Sequence, residues 1–256
     1  MIRIGRYSAM FVGLAAIAAL GACGDDDSLT DDTRPADTIY GDAENLAGLG
    51  DYKRAASLFD DVERLYPYSQ LAKSAMIRSA EVSYLGQEYT AARLSAERFL
   101  DFFPSDEKAP FAQYIVALSY YDQISDVGRD QGDTIRARQA LTELIERYPN
   151  TEYARDASLK RDLTIAKLAG KDMENGRYYL GRGHYIAAIN RFLTVVEEYN
   201  TTSHTPEALH RLVEAYLSLG VNNEAQNAAA VLGYNFPGSD WYVDSFALLT
   251  GERLKP

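Results

Sequence analysis

Five stretches of this 256-residue chain share one spacing pattern, and they align without a gap. Each ends in an aromatic residue followed by Pro or Asn: Tyr66-Pro67, Phe103-Pro104, Tyr148-Pro149, Tyr199-Asn200 and Phe236-Pro237. Counting back from the aromatic gives Tyr52, Ala55, Phe59 and Val62 in the first stretch, then Tyr89, Ala92, Ala96 and Phe99 in the second. The third holds Thr134, Ala137, Leu141 and Leu144, the fourth Tyr185, Ala188, Phe192 and Val195, the fifth Asn222, Ala225, Ala229 and Leu232. Offsets of 0, 3, 7, 10 and 14 trace one face of a helix with 3.6 residues per turn. Alanine recurs at offset 3 in every copy, which predicts a close helix–helix approach there. The aromatics lie 37, 45, 51 and 37 residues apart, the range in which a repeat architecture is the first fold to test.

Proline after the aromatic stops four of the five helices. Before them, "LGDY" (49–52), "LGQEY" (85–89), "GRGHY" (181–185) and "LG" (219–220) mark turns, with glycine supplying the backbone freedom. The unit is therefore helix, short turn, helix, stop, and it resembles the tetratricopeptide repeat. The fold that follows is all-α: an α-solenoid of about five tetratricopeptide-like helix pairs with a C-terminal capping helix. Ser239 is the expected N-cap of that closing helix, with Tyr242, Phe246 and Leu249 on its packing face. The third copy carries a long connection, "SDVGRDQGD" (125–133). Residues 151–181 read as one extended helix serving as the first helix of repeat four, with Gly170 and Gly176 as weak points costing roughly 1 kcal/mol each against alanine.

The N-terminus is of a different kind. Arg3 and Arg6 precede an apolar run from Ala9 to Leu20 and then small residues, the layout of a secretory signal. The run is shorter than the ~20 residues a membrane-spanning helix needs. Leu20-Gly21-Ala22-Cys23 resembles a bacterial lipobox, and Cys23 is the only cysteine in the chain. The alternative is a free or buried thiol. The lipobox reading makes residues 1–22 a signal peptide and Cys23 the lipidation site, carrying a diacylglycerol and an N-acyl chain, enough for stable anchoring. Residues 23–36, with "GDDDSLTDDTRPAD" (24–37) covering most of them, read as a lipidated cysteine and an acidic flexible tether. In the lipoproteins this resembles, an aspartate after the cysteine holds the protein at the inner membrane. Gly24 stands here instead, which implies the outer membrane.

The full chain has a formal net charge of −11, and losing Arg3 and Arg6 makes it more negative. Nucleic acid and anionic membrane surfaces would repel such a chain, so the lipid is its only expected hold on the membrane. Tyrosine is abundant, 19 residues against one tryptophan, and suits helix packing and protein contacts. No G-x-S-x-G, Walker A loop, H-E-x-x-H or cysteine pair is present, so no enzyme activity, metal or cofactor is expected. His204 and His210 flank an expected helix start at Thr205-Pro206 without zinc-ligand spacing, and a surface placement is expected for them. His184 stands alone. Asp126, Asp130 and Asp133 miss calcium-loop spacing; turn formation and an N-cap at Asp133 account for them.

The lipobox, the acidic tether, the repeats and the phrases "VERLYPYSQLA", "ERYPNTEYARDASLK", "YYLGRGHYIAAINRF" and "PEALHRLVEAYLSLG" together resemble the BamD family, the essential lipoproteins of the β-barrel assembly machine of Gram-negative bacteria. The resemblance implies a lipid-anchored scaffold on the periplasmic face of the outer membrane, needed for insertion of β-barrel proteins. It implies docking of the C-terminal part (150–256: extended helix, repeats 4–5 and cap) on the membrane-proximal POTRA domain of the barrel-forming subunit, BamA. It implies that the N-terminal part (37–149, repeats 1–3) receives the β-signal of unfolded outer-membrane proteins, with other assembly-complex lipoproteins as further partners. By motif, Arg191 in "AAINRF" matches an arginine tied to both partner docking and β-signal recognition. At its offset the other copies hold Leu58, Ser95, Ala140 and Ala228. The bland reading is a solvated arginine. Tyr66 in "LYPYS" matches an aromatic tied to β-signal binding, with Tyr68 as a second contact; Tyr66 also stands at a position expected to pack. Arg182 in "GRGHY" would extend the docking surface. The alternative to this reading is a periplasmic tetratricopeptide-repeat coordinator of the Tol–Pal and cell-division type, against which the lack of a heptad run counts. A peptidoglycan-processing lipoprotein would need a pair of carboxylates in a cleft that cannot be nominated here.

Cys23→Ser is expected to abolish incorporation of labelled palmitate and to move the protein from the membrane to the soluble fraction of host cells. Retained label in that variant would place the lipid elsewhere.

Overall fold

The aromatic that ends each motif closes its helix and, in the same turn, starts the next one. In the computed structural model the described residues are 33–124 and 130–251. Cys23, its signal and tether up to residue 32, and residues 125–129 including Asp126 lie outside the described residues. The compact unit begins at Arg34. Its helices, among the described residues, are α1 (Ala36–Gly48), α2 (Tyr52–Leu65), α3 (Gln70–Leu85), α4 (Tyr89–Phe102), α5 (Ala109–Tyr121), α6 (Gly132–Arg147), α7 (Glu152–Gly181), α8 (Tyr185–Glu198), α9 (Thr205–Ser218), α10 (Asn222–Asn235) and α11 (Asp240–Thr250). No strand occurs among them.

The even-numbered helices are the five motif helices. Ala55, Ala92, Ala137, Ala188 and Ala225 are all fully buried, as the recurrent alanine predicts. Each helix stops at its aromatic, and the residue three further on donates its N–H to the aromatic's carbonyl: Ser69 to Tyr66 at 2.9 Å, Asp106 to Phe103 at 3.1 Å, Thr151 to Tyr148 at 3.3 Å, Thr202 to Tyr199 at 3.0 Å and Ser239 to Phe236 at 3.1 Å. Ser69, Thr151 and Ser239 then cap α3, α7 and α11, their hydroxyls accepting from the N–H of Leu71, Ala154 and Tyr242. This aromatic-Pro-x-Ser/Thr turn is a signal that the motif alignment leaves unread. The aromatics themselves are half-buried rather than core, except Tyr199, because they stand just past the helix end.

Two local expectations change. The N-cap of α6 is Gln131, not Asp133; Asp133 sits in the first turn, where a carboxylate is favoured by the helix dipole, and pairs with Arg136 at 3.1 Å. In the odd-to-even turns the left-handed residue is Gly50, Gly183 and Gly220, but in "LGQEY" it is Gln87, at φ 61°. Gly86 serves another purpose there: a Cβ on it would stand 3.0 Å from the Cβ of Tyr52.

Each odd-numbered helix packs backbone against backbone on the next odd-numbered helix, whereas the backbones of the even-numbered helices stay apart and α2 and α4 meet through the Arg98–Glu63 pair. The stack therefore bends with the odd helices inside and the even helices splayed outside. α7 departs from this rhythm. Thr151 follows Tyr148 as Ser69 follows Tyr66, so the first half of α7 matches α3, with Ala154 and Ala157 buried like Ala72 and Ala75. That half packs on α5 and α6 and completes repeat three. The second half packs on α8 and α9 and opens repeat four. α7 is thus two odd helices fused end to end, a wider role than first helix of repeat four.

Neither Gly170 nor Gly176 breaks α7. Gly176 is a packing requirement, since a Cβ there would lie 2.4 Å from the fully buried Phe192 ring. His210 is buried, which overturns the surface placement expected of it. Its Nδ1 lies 2.8 Å from Ser245 Oγ and its ring 5.2 Å from that of Trp241, so it fastens α11 to α9. Burial pushes the imidazole's pKa down, against the pull of Glu214. His204 is half-buried at the start of α9 and His184 is exposed at the start of α8.

Two substitutions separate packing from propensity. Gly176→Ala improves intrinsic helicity but is expected to destabilise the fold by about 1–3 kcal/mol through overpacking against Phe192. Gln87→Gly worsens propensity but is expected to stabilise by about 0.5–1 kcal/mol by relieving the left-handed backbone. Urea unfolding of both variants checks the opposite signs.

Candidate protein-docking surfaces

Where α2 and α4 splay apart, a groove opens with α3 at its base. The resulting groove has a volume of about 860 Å³. Ala72, Met76 and Lys73 of α3 form its floor, Asp60, Glu63 and Arg64 of α2 one wall, and Arg98, Phe102 and Phe103 the other. The Pro67-Tyr68-Ser69 turn closes one end. Tyr68 is 100% exposed and Phe102 68% exposed, so two aromatic side chains stand at the rim without cover.

The charges in this groove are tied down. Lys73 Nζ donates to Asp106 at 2.8 Å, and that bond together with the Lys108 N–H lowers the Asp106 pKa. Arg98 reaches Glu63 at 3.1 Å and Ser95 Oγ at 3.3 Å, while its Nε is buried with no partner. Asp60 accepts from Ser79 Oγ at 2.7 Å, and its burial raises its pKa. The groove therefore offers apolar and aromatic surface with a polar lining already neutralised.

Tyr66 and Tyr68 part company here. Tyr66 packs half-buried against the core of α1–α3, and its hydroxyl donates to the Arg34 carbonyl at 2.6 Å. It supports the turn from beneath, and Tyr68 presents the ring. On the odd helices, Tyr84 and Tyr114 have their hydroxyls committed to Asp122 and Asp156. Tyr68 and Phe102 thus leave their rings open at the groove, whereas the hydroxyls of Tyr84 and Tyr114 are already engaged.

Arg191 lies on the same even-helix side, two repeats further on. It occupies in α8 the place that Ser95 has in α4, and its partner Asp172 occupies the place of Met76. Nη1 of Arg191 donates to Asp172 Oδ1 at 3.1 Å. Asp172 is only 15% exposed, and its burial raises its pKa against the opposing pull of Arg191. The arginine is exposed and borders a smaller hollow with Tyr179, Ala187, Asn190 and Thr194. One carboxylate oxygen thus holds one guanidinium nitrogen of an exposed side chain. Beside it, Tyr185, Ile186 and Leu219 line a shallow apolar hollow, with Ile186 and Leu219 exposed. Arg182 caps α7 and lies over the Tyr178 ring, 4.5 Å from its centroid. The two arginines have separate settings: Arg182 rests on the Tyr178 ring and Arg191 on Asp172.

Tyr66→Phe is expected to cost about 0.5–1 kcal/mol, the value of one hydrogen bond. Tyr68→Ala is expected to change stability by less than about 0.5 kcal/mol. Thermal unfolding of the two variants separates the supporting tyrosine from the presented one.

The outer membrane lipoprotein family, YfiO, matches residues 32–232. An outer membrane protein assembly factor BamD from Caulobacter vibrioides is 42% identical over 261 residues, covering 100% of this chain and 86% of that protein. The assembly factor BamD of Rickettsia prowazekii is 39% identical, covering 90% of this chain and 92% of its own length. Among solved structures, a thermophilic TPR protein of Thermus thermophilus matches at 20% identity with a TM-score of 0.38, covering 84% of this chain and 99% of that one. With the family match over most of the chain and these relatives matching nearly end to end, the chain belongs to the YfiO family of outer membrane lipoproteins, the family of the assembly factors BamD.

Proposed function

We propose that this protein is a non-enzymatic scaffold in the assembly of β-barrel proteins into the outer membrane. In this reading it is held at the periplasmic face by acyl chains on Cys23. It docks on the membrane-proximal POTRA domain of the barrel-forming subunit and receives the β-signal of unfolded clients. The observation that carries the reading is the pairing of two surfaces of different character on one helical stack. One is an apolar groove rimmed by Tyr68 and Phe102; the other is an exposed arginine braced by Asp172.

The groove suits a short aromatic segment. Burying a ring against Met76, Phe102 and Phe103 gains roughly 1.5–3 kcal/mol. Its polar wall is already paired, so docking an extended peptide leaves few charges stranded. Arg191 suits the second task. Its guanidinium is held in one orientation before any partner arrives, which lowers the ordering cost of a charge-assisted bond to a carboxylate. Tyr185, Ile186 and Leu219 then supply adjacent apolar contact.

Titration of the mature protein with the POTRA region of the host's barrel subunit tests this. Saturable binding is expected, and Arg191→Glu is expected to weaken it by roughly 2–5 kcal/mol with helical content unchanged. Binding that ignores Arg191→Glu and Arg191→Ala alike would remove Arg191 from the docking surface. Absence of binding by the folded wild type would overturn the barrel-assembly reading.

A further inference from the structure

The first half of α7 carries an odd helix's packing face that no helix among the described residues covers. In the repeat register, Ile77 of α3, Tyr114 of α5, Leu159 of α7 and His210 of α9 are equivalent. Ile77 is buried in the cluster that α5 supplies, and Tyr114 is bonded and stacked by Asp156 and Tyr153 of α7. His210 is covered by Trp241 and Ser245 of α11. In each case the next odd helix provides the cover. For Leu159 it is missing, because the second half of α7 itself takes the place of the next odd helix and carries on past the site. Leu159 is accordingly 68% exposed and Leu163, one turn on, 57% exposed.

Two cations bracket this pair along the helix, while the nearest exposed carboxylate, Asp162, is taken up by Arg161. Arg155, Leu159, Leu163 and Lys167 follow at intervals of four and form a single stripe along α7. Arg155 and Lys167 have no ion-pair partner among the described residues, whereas neighbouring Arg161 pairs with Asp162 at 3.2 Å and Lys160 with Asp156 at 2.8 Å. In a chain with an excess of acidic residues, two unpaired cations bracketing two uncovered leucines form a local feature with a definite complement. The cations stand about 18 Å apart along the helix axis.

We propose that this stripe is a docking site for an acidic amphipathic helix of a partner protein. That helix would present two apolar side chains to Leu159 and Leu163, with carboxylates about three turns apart meeting Arg155 and Lys167. It fills the slot that α5, α7 and α11 fill on the helices before them. The site is distinct from the Arg191 surface, because Arg191 belongs to α8 on the second half of α7.

A photo-reactive residue tests this in the whole protein in its host. Leu159→p-benzoylphenylalanine is introduced into the full chain, cells are irradiated, and the cross-linked segment is sequenced. The expected product joins position 159 to an acidic, helical segment of another protein. Arg155→Glu with Lys167→Glu is expected to cut its yield about tenfold, and Arg191→Glu to leave it unchanged. The proposal is overturned if no adduct forms, if the segment is basic, or if it comes from a second copy of this chain. A yield indifferent to reversing both charges would overturn it as well. Loss on Arg191→Glu would show that the two surfaces are one.

Discussion

The stack depends on five alanines. At Ala55, Ala92, Ala137, Ala188 and Ala225 the even helix comes close to its odd neighbours, and each is wholly buried. A larger side chain there would push the helices apart and open voids beside Phe59 and Phe192, one turn on, and Phe99, two turns on. Because the same small residue recurs at the same offset, the same geometry recurs, and the unit stacks on itself. The aromatic-capped turn then fixes where each odd helix begins. The grooves and the exposed arginine follow from this: odd helices touch within the inner layer, even helices diverge outside, and the gaps between them become surfaces.

Much of the architecture was legible in the chain. The starts of α2, α4, α8 and α10 fall at the first residue of the motif, and the 30-residue α7 and the Ser239-capped α11 stand where expected. Periodicity reads well because one face of each helix is buried throughout. Misreadings cluster where tertiary contacts override local preference. Gly176 looks like a flaw until Phe192 is placed above it. His210 looks like a surface residue until α11 folds over it, and Gln87 takes a left-handed conformation with a glycine next to it.

The candidate surfaces were less legible. Arg191 stands out by register alone, as a charge where other copies place small or apolar residues, but its brace, Asp172, cannot be found without the helix pair. Tyr66 and Tyr68 lie two residues apart, and only the geometry separates the one that supports from the one that presents. Phe102 and Arg98 escaped notice because a groove between two helices leaves no periodic trace in either. The stripe on α7 was hidden for the opposite reason: its leucines have the spacing of a core, and only the missing neighbour reveals them as surface.

The fusion of two odd helices into α7 bears on how the chain folds. In a simple repeat array each unit contacts only its neighbours, and the array can melt in pieces. Here one helix contributes Ala157 to the core of repeats two and three and Leu168, Ala169 and Met173 to the core of repeats four and five. Helix formation is cooperative along its length, so order in one core favours order in the other. α7 thereby couples the two cores, and a nascent chain must reach into α7 before the core of repeats two and three has its full wall.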